Sequence, residues 1–413
     1  MSEAPRPDQS TFNLLPWLVV GFAFLALALA FSARAATGLV MPIWESELGW
    51  SRSHVSNTVA VTLLVMAGLA PIAGRMVDRH GVRVLLAGGL VLIGIGCLAI
   101  AATSNRFVFS LALAVIAGAG FSIVATHVVS TAIARLFERN RGLALGIATS
   151  GSTGGQFLIV PLIALVLAQF SWRWSYAAIG IACLMLAPLL WRMLAPRPGS
   201  AAAHHGSQGS FAADTAYLLT KPAFHILFWS FLLCGFTTTG VIETHLMPYA
   251  QFCGFGPVTS ATAYGLLSAV NMLGMIFSGW LTDRMNRVTL LGGIYVLRGL
   301  TFIVLLNIGV EVELLMVFAV LFGIFDYSTV PPTASLAASH LGLRVMGLAM
   351  GLISAGHSLG GALGAMAGGY LFDNIGTYEW IWLSSIFLAI LAGLMVFLMR
   401  DRGTGRLAPL PAE

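Results

Sequence analysis

Apolar runs long enough to cross a lipid bilayer recur along almost the whole chain, and no other feature limits its fold so tightly. A spanning helix needs about 20 predominantly apolar residues. Twelve runs reach that length, at about 15–41, 55–77, 84–104, 107–135, 142–168, 173–194, 222–252, 258–282, 288–308, 312–338, 345–372 and 378–400; numbered in chain order, they are spans 1 to 12. The chain is 58% hydrophobic and only 9% charged, with a mean hydropathy of +0.89. No water-soluble core hides that much apolar surface, so the expected fold class is all-α integral membrane. The first run lacks a preceding basic segment and exceeds a signal-peptide core, so it is read as a retained span. Gly151, Gly154, Gly155 and Pro161 do not veto helix there, because small residues let membrane helices approach and neighbours satisfy freed backbone groups.

The links assign an orientation. Sixteen Lys and Arg fall on one side and three (Arg52, Arg106 and Arg173) on the other. The positive-inside rule then places both termini in the cytoplasm, as expected for a multi-pass protein of a bacterial inner (plasma) membrane. The net charge of +5 is spread over short links rather than gathered in a patch, so nucleic acid is not expected as a partner. Cys97, Cys183, Cys234 and Cys253 form no CxxC pair and are read as packing residues. The longest link, 195–221, is rich in Pro, Gly, Ser and Ala. It reads as a flexible cytoplasmic linker between an N-terminal bundle, 1–194, and a C-terminal bundle, 222–413. Its His204 and His205 have no further ligands nearby, and no metal or cofactor is expected.

Charge concentrates in one place, GRMVDRHGVR (74–83), between spans 2 and 3. It recurs between spans 8 and 9 as GWLTDRMNRVTL, starting at Gly279. Both copies place a Gly four residues before an Asp-Arg pair, with another Arg shortly after: Gly74, Asp78, Arg79 and Arg83, then Gly279, Asp283, Arg284 and Arg287. Glycine permits tight helix contact. The aspartates can meet the positive end of a neighbouring helix or a neighbouring Arg, and the arginines can stay in water beside anionic headgroups. The expected role is a cytoplasmic gate that latches the two bundles.

Twelve spans, a six-plus-six division and the repeated loop resemble the major facilitator superfamily over nearly the whole chain. Within it, ELGWSRSHVS (47–56) and RGLALGIATSGSTGG (141–155) are similar to the branch of monocarboxylate transporters and the oxalate:formate antiporter. The resemblance implies alternating access around a central cavity. It also implies functional positions: Arg34 sits where monocarboxylate transporters carry a Lys late in span 1, and His357 is analogous to a Lys of the antiporter's span 11. It marks a departure too. The branch generally has an Asp and a substrate-binding Arg in span 8, where this chain offers Asn271 and Met275.

Ionisable and polar groups inside a bilayer are expensive and mark function by default. Arg34 is the foremost candidate for substrate, since a guanidinium binds a carboxylate through two parallel hydrogen bonds; Asn271, His357 and Thr238 join it. Glu243 lies at similar depth on span 7, so an Arg34–Glu243 pair is expected, either as a gate that closes the outer side until Glu243 is protonated or as a permanent structural salt bridge. Arg298 and Asp326 are expected to pair between spans 9 and 10, with Asp326 able to carry a proton if that pair opens. Tyr327 and the stretch Thr329–Pro332 suggest a loosened span 10. His127 is a further coupling candidate, and His245 is placed near the rim, facing away from Glu243.

The leading expectation is a secondary active transporter, monomeric and surrounded by lipid, that couples a small organic acid to protons. The alternatives are a carrier or exporter of a neutral or hydrophobic solute, and a non-transporting sensor of the same fold. No GxxxxGK[ST] sequence, nucleophile elbow or paired catalytic carboxylates occur, so neither an ATP-driven pump nor an enzyme is expected.

Overall fold

The computed structural model of the chain describes residues 14–50, 52–194, 210–309 and 311–401. Arg6, Arg197, Arg402, Arg406, His204 and His205 lie outside these. The described residues are helical almost throughout and contain no strand. Eleven of their helices are long and apolar enough to cross a membrane. The helix Arg52–Ala102 is 51 residues long and turns at Gly81, whose φ is +77° and ψ 168°. At 1.5 Å per residue it would exceed two bilayer thicknesses if straight. Glycine reaches that dihedral without a Cβ clash, and the turn makes spans 2 and 3. Twelve passages result, arranged as two bundles of six.

Several spans depart from regular helix in the membrane. Span 4 (Arg106–Leu136) contains a π-helical turn, Leu111–Ala117, and breaks at Val124 and Ala125 before resuming at Thr126. Span 7 (Pro222–Phe252) contains a second π turn, Phe236–Ile242. Span 10 (Val312–Leu341) stops at Phe325 and restarts through the short helix Tyr327–Thr329. Pro331 and Pro332 carry no N–H to continue the ladder there. Span 8 compensates, since Ser278 Oγ donates to the Ser328 carbonyl, an acceptor that Pro332 leaves without its helical donor.

The bundles are not joined equally along their depth. One apolar core runs through the first bundle and continues into the arginine-rich half of the second, through Leu218, Leu227, Leu291, Leu341, Met346 and Ile353. The opposite half of the second bundle has a separate core around Val241, Leu246, Phe302, Phe318 and Trp382. The inter-bundle seams are span 2 against span 11 and span 5 against span 8. Both are glycine contacts. A Cβ at Gly74 would collide with the Gly347 carbonyl, and one at Gly142 with the Gly279 carbonyl. The molecule is therefore closed on the arginine-rich side.

The linker is not flexible over its whole described length. Phe211–Leu219 forms a helix, and Ser210 Oγ accepts from the Ala213 N–H at 3.1 Å to cap it. Leu218 and Asp214 are buried. Asp214 and Leu218, four residues apart on one side of the helix, meet the closed face, which Pro, Gly and Ser content alone does not reveal.

Candidate functional site

The repeated loops hold the seams. Asp78 accepts from the N–H groups of Gly347 (2.9 Å) and Leu348 (3.1 Å), in the first turn of span 11. Asp283 accepts from those of Gly142 (2.7 Å) and Leu143 (2.9 Å), in the first turn of span 5. Each half thus offers a carboxylate to a helix N-terminus of the other half, where unpaired N–H groups and the helix dipole favour negative charge. Arg135, at the end of span 4, pairs with Asp78 and donates to the Leu343 carbonyl at 2.7 Å.

The loop arginines do not share one role. Arg79 is exposed. Arg83 lies 4.0 Å above the Trp191 ring and Arg284 4.2 Å above the Trp280 ring, so both stack on interfacial tryptophans. Arg287, expected in water, is instead fully buried. It pairs with Asp401 and donates to Ser335, which fastens spans 9, 10 and 12 within one bundle.

A polar cluster sits where spans 1, 7, 8 and 10 converge. Arg34 is half-buried, and its guanidinium lies 5.1 Å from the Phe31 ring centre. It is within electrostatic range of the Tyr264 and Tyr327 hydroxyls, on spans 8 and 10. Arg34 thus faces the other bundle across the interface. Among the described residues no carboxylate and no hydrogen-bond acceptor reaches it.

The expected Arg34–Glu243 pair is not formed in this conformation. Glu243 Oε1 accepts from Tyr327 Oη at 2.7 Å and from Thr239 Oγ1 at 3.3 Å. The π turn that immediately precedes Glu243 carries an extra residue and re-aims the side chains beyond it, and here the carboxylate is committed to span 10.

The expected Arg298–Asp326 side-chain pair is also not formed. Arg298 is fully buried, and its Nη1 donates to Cys234 Sγ (3.1 Å) and to the Asp326 main-chain carbonyl (3.4 Å). Its Nη2 donates to Thr237 Oγ1 at 3.2 Å. The break in span 10 exposes carbonyls, and the guanidinium goes to one of them rather than to the carboxylate. The Asp326 carboxyl meets span 8 instead. Asn271 Nδ2 donates to Asp326 Oδ2 at 2.9 Å, and Asn271 Oδ1 accepts from the Tyr327 N–H at 3.2 Å. Asp326 Oδ1 is buried and has no hydrogen-bond partner.

Of the other candidates, Asn271 belongs to this cluster, and Thr238 and His357 border it at Cys234. Both ends of the buried Asn271 amide are spent on span 10, so they are not offered to a solute here. Thr238 Oγ1 donates to the Cys234 carbonyl of its own helix at 2.8 Å and lies 3.5 Å from His357 Nε2. The His357 ring lies 4.8 Å from that of Phe231. His127 begins the second segment of span 4, buried, with neither ring nitrogen in a hydrogen bond. His245 is buried rather than at the rim, with Nε2 3.0 Å from the Ala365 carbonyl.

Two residues of the cluster escape sequence reasoning. Tyr327 reads there only as a sign of a loosened helix, yet its hydroxyl and N–H bind Glu243 and Asn271. Cys234 reads as packing and is the sulfur acceptor for Arg298. A tyrosine beside an intramembrane Asp is the available signal.

Against known proteins, the model of the Major Facilitator Superfamily matches residues 23–310 and 280–412. The uncharacterized MFS-type transporter YcxA of Bacillus subtilis (strain 168) is 27% identical over 366 residues, covering 87% of this chain and 89% of that protein. Human monocarboxylate transporter 11 is 28% identical over 416 residues, covering 98% and 87%. Among solved structures, the proton:xylose symporter XylE superposes with a TM-score of 0.77 at 14% identity, over 95% of this chain and 98% of that one. The E. coli fucose:proton symporter FucP superposes with a TM-score of 0.73 at 17% identity, over 93% and 98%.

Proposed function

We propose, from the premise that this chain belongs to the Major Facilitator Superfamily and is a transporter rather than an enzyme, that it carries a small monocarboxylate-like organic acid together with protons. The supporting observation is Arg34. Its guanidinium sits inside the first span, faces the second bundle, and has no acidic partner among the described residues. Even half-buried, a cation within a membrane span is costly without a counter-ion. A carboxylate held between Arg34 and the Tyr264 and Tyr327 hydroxyls would relieve that cost through charge-assisted hydrogen bonds.

With the arginine-rich side taken as cytoplasmic, this conformation is closed to the cytoplasm and awaits solute from the other side. Glu243 and Asp326 are the proton carriers in this reading. A proton on Glu243 would weaken its hold on the Tyr327 hydroxyl and leave that hydroxyl, with Arg34, to the anion. A proton on Asp326 would neutralise the carboxyl that Asn271 holds at the span 10 break. Alternating access proceeds when Asp78 and Asp283 leave their helix N-termini and the bundles rock. The unit is read as a monomer in the bacterial plasma membrane.

One observation favours a second reading, transport of a neutral solute. Span 8 contributes no cation, and Met275 is fully buried with its sulfur 3.8 Å from Thr153 Oγ1. Uptake of labelled pyruvate, lactate and benzoate into proteoliposomes, with and without an inward proton gradient, decides between them. Uptake driven by the gradient and lost in Arg34→Ala supports the acid reading. Uptake of an acid that Arg34→Ala leaves unchanged overturns it.

A further inference from the structure

We propose that the linker helix, Phe211–Leu219, is a strap that holds the arginine-rich face closed, with Asp214 fastened to both bundles at once. Asp214 is 1% exposed. Its Oδ2 pairs with Arg75 at the end of span 2, and its Oδ1 lies 3.3 Å from Arg344 Nη1, in the link before span 11. One carboxylate therefore bridges the first bundle and the second. The helix that carries it is seated independently. Leu218 is fully buried in the core the two bundles share, and the Tyr217 ring lies beneath Lys221 at 4.5 Å and Arg344 at 5.9 Å.

The charges around this point explain why a strap is needed. Arg75, Arg135 and Arg344 gather at the seam, and Asp78 is already committed to Arg135 and to the first turn of span 11. Arg75, which is buried, and Arg344, with 29% of its side chain exposed, are like charges on opposite sides of the seam and repel each other across it. The linker carboxylate turns that repulsion into attraction. Arg287–Asp401 provides the contrast. It too is buried, but the hydrogen bonds described for it, between the two residues and to Ser335, lie within one bundle, so a rigid rocking leaves those bonds in place. The Asp214 bridge does not survive it, because opening carries Arg75 away from Arg344. The linker thereby biases the closed-to-open equilibrium whatever the solute.

The test uses the full chain in nanodiscs with spin labels at His80→Cys and Met285→Cys, exposed positions on the two repeated loops, and Cys253 replaced by Ser. Pulsed dipolar spectroscopy on the otherwise wild-type chain should give one short distance. In Asp214→Asn, and separately in Arg344→Gln, a longer distance should grow at least ~10-fold relative to the short one, while Asp401→Asn leaves the distribution unchanged. The proposal is overturned if the two strap variants fold and keep the wild-type distribution, or if Asp401→Asn opens the face as far as Asp214→Asn does.

Discussion

Asn271 holds Asp326 by one carboxylate oxygen, 2.9 Å from its amide nitrogen, and leaves the other oxygen buried without a partner. The same amide accepts the N–H of Tyr327 at 3.2 Å. One side chain of span 8 therefore ties the carboxyl at the span 10 break to the tyrosine that reaches Glu243. Asn271→Leu should strand both groups and lower stability by about 1–3 kcal/mol. Thermal unfolding of the detergent-solubilised protein measures this, and a change within error would mean that span 10 satisfies those groups unaided.

Arg34 should show its charge and its shape separately. If it binds a carboxylate in the paired geometry of a guanidinium, Arg34→Lys keeps the charge but loses the fork and weakens binding roughly tenfold. Arg34→Ala should weaken it about a hundredfold, since hydrogen bonds to a charged group contribute about 1.5–3 kcal/mol. Isothermal titration with whichever acid is taken up gives both ratios. Equal affinity in the Lys and Ala variants would show that the fork is not used.

Tyr327→Phe removes the 2.7 Å donor to Glu243 and changes little else in volume. The carboxylate then keeps only Thr239. The expected outcome is a shift in the pH dependence of uptake, measured by stepping external pH at fixed solute concentration. Wild-type pH dependence in this variant would separate Glu243 from the coupling step.

At the seams, sterics can be tested without touching charge. Gly74→Ala drives a methyl group into the Gly347 carbonyl and should part spans 2 and 11, with a loss of about 1–3 kcal/mol in apparent stability. Gly88→Ala, where a Cβ meets nothing within 4 Å, should stay within about 0.5 kcal/mol of wild type. Melting temperatures of the two variants, side by side, provide the comparison.

Arg287 and Asp401 predict a different kind of loss. Asp401→Asn takes away the counter-charge and leaves the buried guanidinium with neutral acceptors, the new amide oxygen and Ser335. Removal of one member of a buried pair costs about 3–5 kcal/mol, so this variant should melt well below wild type. If it melts with wild type, water has reached Arg287.

The membrane architecture was legible in the sequence because hydrocarbon imposes one rule on every span, about 20 apolar residues with the backbone satisfied internally. The repeat was legible as well, because Gly74–Asp78–Arg79 and Gly279–Asp283–Arg284 are local patterns. Pairing was not. Sequence depth suggests Arg34 with Glu243 and Arg298 with Asp326, yet both carboxylates go elsewhere. Depth along a helix axis is fixed by residue number, but the direction a side chain faces depends on every turn before it. The π turn at Phe236–Ile242 and the break at Asp326 each alter that direction.

The linker shows the same division. Its composition marks a hinge between halves, but Asp214 has meaning only where Arg75 and Arg344, distant in sequence, arrive on either side of it. The sequence by itself determined the spans, their number and the side that carries the arginines, because those depend on transfer of each segment between water and lipid. Which ion pairs form, which cation stays unpaired and which face is shut were decided only by tertiary structure, because these depend on contacts a few ångströms wide between segments that the chain order does not relate.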